Sequence, residues 1–303
     1  MRMRILRGML GAAITLCCTI AIVAAPRVEQ LAPNLYAYVS DNDHSANSTF
    51  LVGQHGILVV DSGLNTVEGQ KLLDEIRKIS PLPVLFIVNT HYHTDHQGGN
   101  GVVGPDSLVI ASPFTRERTL QAIAQLCERQ AKAGGAQAAG PQPSFRVAGE
   151  TLAQKVTIYL DDDPVEIISP GPAHTMGDVY VFFPKQRTVA AGDIFMNNSC
   201  PAMDQGSASN WVHTLDAILA LPADHFVPGH FAVGTRDSFT QFRNYMADLS
   251  TQVGKLYQSG ATVEQVRQQI DMKKYSDFRQ FPLFHATFAD NAETIYHQLQ
   301  HPK

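Results

Sequence analysis

His91, His93, Asp95 and His96 place four metal-capable side chains within the stretch Thr90-His91-Tyr92-His93-Thr94-Asp95-His96-Gln97-Gly98-Gly99-Asn100. In an extended segment alternate side chains share a face, so His91 and His93 can meet one ion, with Asp95 on the same side. His96 breaks the alternation. It and Asp95 suit a second ion if the chain turns there, and Gly98-Gly99 permit a sharp turn. Imidazole with carboxylate suits zinc and also accommodates iron or manganese. A lone histidine after a strand reads as an ordinary loop residue; three with an aspartate at ligand spacing do not.

Three other places meet the needs of a two-metal site. His174 lies in Gly171-Pro172-Ala173-His174-Thr175-Met176-Gly177-Asp178 and would complete three histidines around the first ion. Asp193 follows Gly192 at the end of an apolar run and could bridge both ions. His230 follows Pro228-Gly229 and would join Asp95 and His96 at the second ion. Taken singly, these read as a loop histidine, a turn carboxylate and a surface histidine. Together with residues 91–96 they form a ligand set.

The elements that must position these groups follow from periodicity. Residues 35–39, 48–52 and 57–60 read as an antiparallel meander, followed by strands at 84–89 and 108–110. A second set is expected at 155–160, 165–168, 179–183 and 188–191. Helices are expected at about 65–78, 113–132, 208–220, 235–257, 262–270 and 288–300. Asn65 or Thr66 caps the first. The second presents Leu120, Ile123, Ala124 and Cys127 on one face. Residues 133–148, rich in Gly, Ala, Gln and Pro, read as a mobile inserted connection. Strands then helix, repeated, imply two β-then-α halves with sheets face to face and helices outside.

The chain has 303 residues, 44% of them hydrophobic, enough for one large core. Its net charge of -5 and pI near 6.2 argue against nucleic acid or an anionic membrane as partner. Arg2, Arg4 and Arg7, an apolar stretch from Met9 to Val23 and Val23-Ala24-Ala25 have the three parts of a secretory signal peptide. An uncleaved N-terminal anchor is the competing reading. Residues 1–25 are therefore assigned as the signal and 26–303 as the mature domain, with C-terminal helices from about 235. Export, with the periplasm as the expected compartment and no membrane attachment after cleavage, leaves Cys127 and Cys200. These could form a disulfide or remain two thiols, and Cys200 could line the site.

From about Ala32 to Ala232 the sequence resembles the metallo-β-lactamase superfamily. The resemblance rests on Thr90–Asn100, Val60-Asp61-Ser62-Gly63, the setting of His174, Gly192-Asp193 and Pro228-Gly229-His230. It implies an αββα sandwich and a dinuclear zinc site. His91, His93 and His174 match the ligands of one ion, and Asp95, His96 and His230 those of the other. Asp193 matches the bridging aspartate, and Asp61 a residue that supports the ligand loop from behind. The best-known lactamase groups carry cysteine or serine where Asp193 stands. Aspartate is usual in relatives such as glyoxalase II, although no counterpart of that enzyme's glutathione-binding basic residues is evident.

Two close dications lower the pKa of a shared water, so hydroxide is available at neutral pH. The expected enzyme is a zinc-dependent hydrolase of a small ester, thioester, lactone or lactam, with Asp95 orienting the attacking oxygen. The competing readings are a β-lactamase proper, a di-iron oxidoreductase and a non-catalytic metal-binding protein. Arg243, Phe284 and His285 could reach substrate, while Trp211 and His213 are expected to pack.

Overall fold

Alternation along β4 (Ile57–Val60) shows how one strand serves two cores. Ile57 and Val59 point to one face, and Leu58 and Val60 to the other, because successive side chains in a strand leave opposite faces. All four are buried. The computed structural model describes residues 26–133 and 140–301. The expected signal segment, residues 1–25, lies outside the described residues.

The first sheet runs in sequence order: β1 (Arg27–Ala32), β2 (Leu35–Val39), β3 (Ser48–Val52), β4, β5 (Val84–Val88), β6 (Leu108–Ala111) and β7 (Glu150–Thr151). Its first four strands are antiparallel, and β4 through β7 are parallel. Helix α1 (Thr66–Ile79) covers its outer face through Leu72 and Ile76. Asn65 caps α1 by accepting from the Val67 and Glu68 amides. Two short helices follow β5: α2 (Thr94–Gln97) and α3 (Asn100–Val103). Helix α4 (Pro113–Lys132) follows β6.

The second sheet holds β8 (Lys155–Leu160), β9 (Asp163–Ile168), β10 (Tyr180–Phe183), β11 (Thr188–Gly192), β12 (His225–Pro228) and β13 (Gly234–Thr235). Its order is β13-β12-β11-β10-β9-β8, with only β11 and β12 parallel. Helices α5 (Ala208–Leu219), α6 (Arg236–Gln258), α7 (Val263–Gln269) and α8 (Phe288–Gln300) belong to this half. Trp211, Phe239, Phe242, Tyr245 and Phe226 form the cluster between sheet and helices. The core between the two sheets includes Leu58, Val60 and Val88 from one and Val181, Phe183 and Val227 from the other. This is the expected αββα sandwich.

Two expectations change. The apolar face assigned to α4 does not enter a core: Leu120 is 44% exposed and Cys127 is exposed. Thr115 and Thr119 anchor its first turns, and among the described residues no other element packs broadly against it. Helical spacing alone cannot say whether a partner surface exists. The described part of the expected mobile connection, residues 140–148, is held in place. Ser144 donates its amide to Gly98 O, and Arg146 donates to Gly104 O and Ser107 O. That segment braces the turn carrying Gly98 and Gly99.

Candidate metal centre

The strand order brings five loops to one edge. β4 and β5 are parallel neighbours in the first sheet, and β11 and β12 in the second, so the carboxyl ends of each pair share an edge. Asp61 follows β4, residues 91–96 follow β5, and His174 follows β9. Asp193 follows β11, and His230 follows β12. Ligands commonly gather at such carboxyl ends.

All seven expected ligands converge in two groups: His91, His93, His174 and Asp193, and then Asp95, His96 and His230. His93 Nδ1 lies 2.9 Å from His91 Nε2 and 3.2 Å from His174 Nε2. His230 Nε2 lies 3.1 Å from Asp95 Oδ2, and His96 Nε2 lies 3.4 Å from the same oxygen. Asp193 stands between the groups. Its Oδ2 is 3.4 Å from His174 Nε2, whereas its Oδ1 is 3.4 Å from His96 Nε2. Gly229 permits this approach, since a Cβ there would sit 1.8 Å from Asp193 Oδ1. Gly192 adopts φ +52° and would otherwise press a Cβ into Thr90.

The residues present fit a pair of metal ions. His96 Nε2 and Asp193 Oδ1 are buried and have no hydrogen-bond partner, an expensive state that a shared cation relieves. The nitrogens facing away from the centre are engaged for four of the histidines. His96 Nδ1 lies 2.8 Å from Asp61 Oδ2, His174 Nδ1 3.1 Å from Ala202 O, and His91 Nδ1 3.1 Å from Thr90 Oγ1. Such partners select the tautomer that leaves the inner nitrogen free to coordinate. His93 Nε2 contacts Gln205 Oε1 at 2.9 Å in the same way.

Protonation follows burial and charge. Burial keeps His91 neutral and, with neighbouring imidazoles, holds its pKa well below the usual range; burial likewise lowers His174 to about 4. For His96 and His230 burial also opposes charge, but the Asp193 and Asp95 carboxylates outweigh it and raise both. Burial would raise Asp95, yet His96 and His230 pull it down to about 2. Positive charge is thus wanted among these groups, whether carried by protons or by metal ions.

Asp61 supports the ligand loop as expected, whereas the role of Asp178 carries little signal in sequence. Asp61, with φ +58°, accepts from the Thr90 amide at 2.8 Å and the Thr90 hydroxyl at 2.7 Å, besides contacting His96. Asp178 accepts from the Ala173 and Thr175 amides and the Thr175 hydroxyl, shaping the turn that presents His174. Burial raises its pKa to about 7. Trp211 is fully buried, donates Nε1 to Ile194 O and places its ring 5.7 Å from that of His174. Cys127 and Cys200 are unpaired, and burial pushes the Cys200 thiol up to about 12. Arg243 is paired with Asp216.

The groups open into a cavity of about 600 Å³, where His93, Asp95, His174, Asp193 and His230 meet apolar residues including Met196, Phe231, Phe281 and Phe284. A separate hollow of about 400 Å³ beside α4 contains none of the seven.

A model of the metallo-beta-lactamase superfamily matches residues 41–230, more than half of the chain. The chain belongs to the metallo-beta-lactamase superfamily. One relative is the 2,4-dinitroanisole O-demethylase subunit alpha of Nocardioides sp., 25% identical over 76% of this chain and 63% of its own length. Metallo-beta-lactamase IND-1 of Chryseobacterium indologenes is 25% identical over 62% of this chain and 72% of its own. Among solved structures, a stereoselective inverting sec-alkylsulfatase from Pseudomonas sp. superposes with TM-score 0.70 at 17% identity. That match covers 90% of this chain and 50% of the sulfatase. A metallo-beta-lactamase from Pontibacter korlensis gives TM-score 0.58 at 18% identity, covering 73% and 99%. The chain therefore spans under two thirds of the O-demethylase subunit and half of the sulfatase. The shared fold is the αββα sandwich expected from sequence.

Proposed function

We propose that this chain is a zinc-dependent hydrolase of a small ester, thioester, lactone or lactam, with room for two ions. The observation that carries the reading is Asp193, which turns one oxygen to each ligand group while His96 Nε2 beside it stays unpartnered. His91, His93 and His174 would hold one ion, Asp95, His96 and His230 the other, and Asp193 both. Bound there, two dications would supply Lewis acidity and make water a usable nucleophile at neutral pH. Iron or manganese would fit the same donors.

The chain's own residues do the rest. Asp95 keeps 25% of its side chain open towards the cavity and is ionised, so it accepts a proton-bearing group and orients the attacking water. The proton that the attacking water gives up passes by way of the Asp95 carboxylate to the leaving group. Water oxygen bonds to the carbonyl carbon, the acyl bond to the leaving group breaks, and that group departs protonated. Cys200 takes no part, because burial keeps its thiol un-ionised.

Export is part of the proposal and rests on Arg2, Arg4, Arg7 and the apolar stretch after them. Among the described residues, no helix is long and apolar enough to cross a membrane. Amino-terminal sequencing of the mature protein tests cleavage near residue 25. Elemental analysis should find about two zinc per chain, and chelation should abolish turnover on a panel of esters, thioesters, lactones and β-lactams. A β-lactamase proper remains the second reading, favoured by IND-1 among the relatives; turnover confined to β-lactams would select it.

A further inference from the structure

The cavity has an acidic rim and an aromatic wall, and that combination bears on which substrates the proposed hydrolase accepts. Among the described residues, no Lys or Arg lines it. Its carboxylates are Asp95 and Asp193 in the centre and Asp43 and Asp204 at the rim. The wall comes from the far end of the chain. Phe231 and Phe281 stack with ring centroids 5.6 Å apart and 4° between planes. Phe284, 55% exposed on a short 3-10 turn, reaches across to His44 at 5.8 Å. This edge contact joins the loop carrying Asp43 to the C-terminal wall.

Two arginines beside the cavity stack on aromatic rings. Arg279 lies over the Phe231 ring at 4.8 Å and does not line the cavity. Arg118 stacks on Tyr92 at 4.9 Å and donates to Gln121, in a neighbouring hollow of about 190 Å³. A substrate carboxylate or sulfate distant from the scissile bond would therefore meet the Asp43 and Asp204 carboxylates and apolar surface, with the His44 ring and the Gln205 amide as polar neighbours and no Lys or Arg to pair with. Placing a charge against such a wall without a partner is costly. An uncharged chain gains by covering the aromatic rings.

We propose that the site selects uncharged acyl substrates, with a medium-length apolar chain lying on Phe231, Phe281 and Phe284, and rejects those whose distal end carries an anion. This rests on the hydrolase reading for its chemistry but not for its binding. Hydrolysis would join water to the acyl carbon and release a carboxylic acid and an alcohol.

The test pairs two substrates of equal length on the zinc-loaded protein: p-nitrophenyl hexanoate and the p-nitrophenyl monoester of adipic acid. The neutral ester should be favoured in kcat/KM by about tenfold or more. The double variant D43N/D204N should narrow that ratio to about threefold or less, by weakening the repulsive rim. F284A should raise KM for the hexanoate more than for p-nitrophenyl acetate, whose acyl chain is too short to lie on the ring, with circular dichroism and Tm checking its fold. Equal or better turnover of the adipate monoester overturns the selectivity and leaves the hydrolase reading standing. If zinc-loaded protein turns over no acyl substrate, the hydrolase reading fails instead. Selectivity is then read by ligand-observed NMR with hexanamide and adipic acid monoamide on the metal-free protein. Preference for hexanamide supports the aromatic site, and equal binding overturns it.

Discussion

The two halves of the sandwich feed the metal centre in different ways. The first sheet delivers four candidate ligands from one loop, where His91, His93, Asp95 and His96 follow a single strand, β5. The second delivers His174, Asp193 and His230 from three turns, each after a different strand. In the first half, ligand geometry is set by the loop's own path and by Asp61 holding Thr90 and His96. In the second it depends on how β9, β11 and β12 are placed by the sheet and the helices behind it. One region is preorganised locally and the other through packing, so damage should travel differently in each.

The largest effect should come where the halves meet. Asp193→Ala removes a donor from both groups, and turnover should fall on the order of 10³-fold, with metal content below one ion per chain by elemental analysis. His230→Ala touches one group only and should leave about one ion bound; two retained ions would contradict the assignment. Gly229→Ala should come close to the Asp193 variant, because its Cβ collides with Asp193 Oδ1 while the Gly229 amide and carbonyl are held by Gly192 O and the Asn47 amide.

Support residues should show the contrast more finely. Asp61→Ala should weaken metal affinity by about 10- to 100-fold, read by competition with a chromophoric chelator, and should also lower Tm of the metal-free protein, since Thr90 and His96 lose a buried acceptor. Trp211→Phe acts through packing behind His174. It deletes the bond to Ile194 O and should cost about 1 kcal/mol of stability by denaturant unfolding, with a smaller effect on affinity.

The smallest effect concerns pH. Asp178 is raised by burial from 3.8 to about 7, so the folded state binds its proton more tightly than the unfolded chain. Stability from that proton is present below about pH 4 and lost as pH rises through 7. The Tm of Asp178→Asn relative to the natural protein should therefore improve from pH 4 to 7 in metal-free samples; a flat difference would refute the shift. Metal binding runs the other way. His96 and His230 have raised affinities for protons, so acid competes with the ions and affinity should fall as pH drops.

Much of this was legible in the sequence because the relevant signals are local. Four ligands share a loop after an apolar strand, and the strand and helix periods that place the other three are strong. The alternation of Tyr180 and Phe182 against Val181 and Phe183 already marks a strand buried on both faces. What was not legible depends on distant packing. The half-exposed β1 and the two-residue β7 and β13 exist only by pairing with neighbours. Helix α4 has an apolar stripe whose Leu120, Ala124 and Cys127 stay exposed among the described residues. Sequence puts Phe284 beside Arg243 and His285 as residues able to reach substrate, and gives Phe281 no distinguishing signal. Their place in the wall is fixed by short turns hung between α7 and α8, for which no periodicity exists.

The two-faced carboxylate of Asp193 carries a thermodynamic consequence. Its oxygens cannot rotate independently, so filling one ligand group fixes the orientation offered to the other. The same filling displaces protons that His96 and His230 hold through that carboxylate. Occupancy of the two groups is then a linked equilibrium, as with any effector and ligand that share a reporter. A calorimetric titration of the metal-free chain should depart from two independent isotherms, and the departure should vanish in Asp193→Ala.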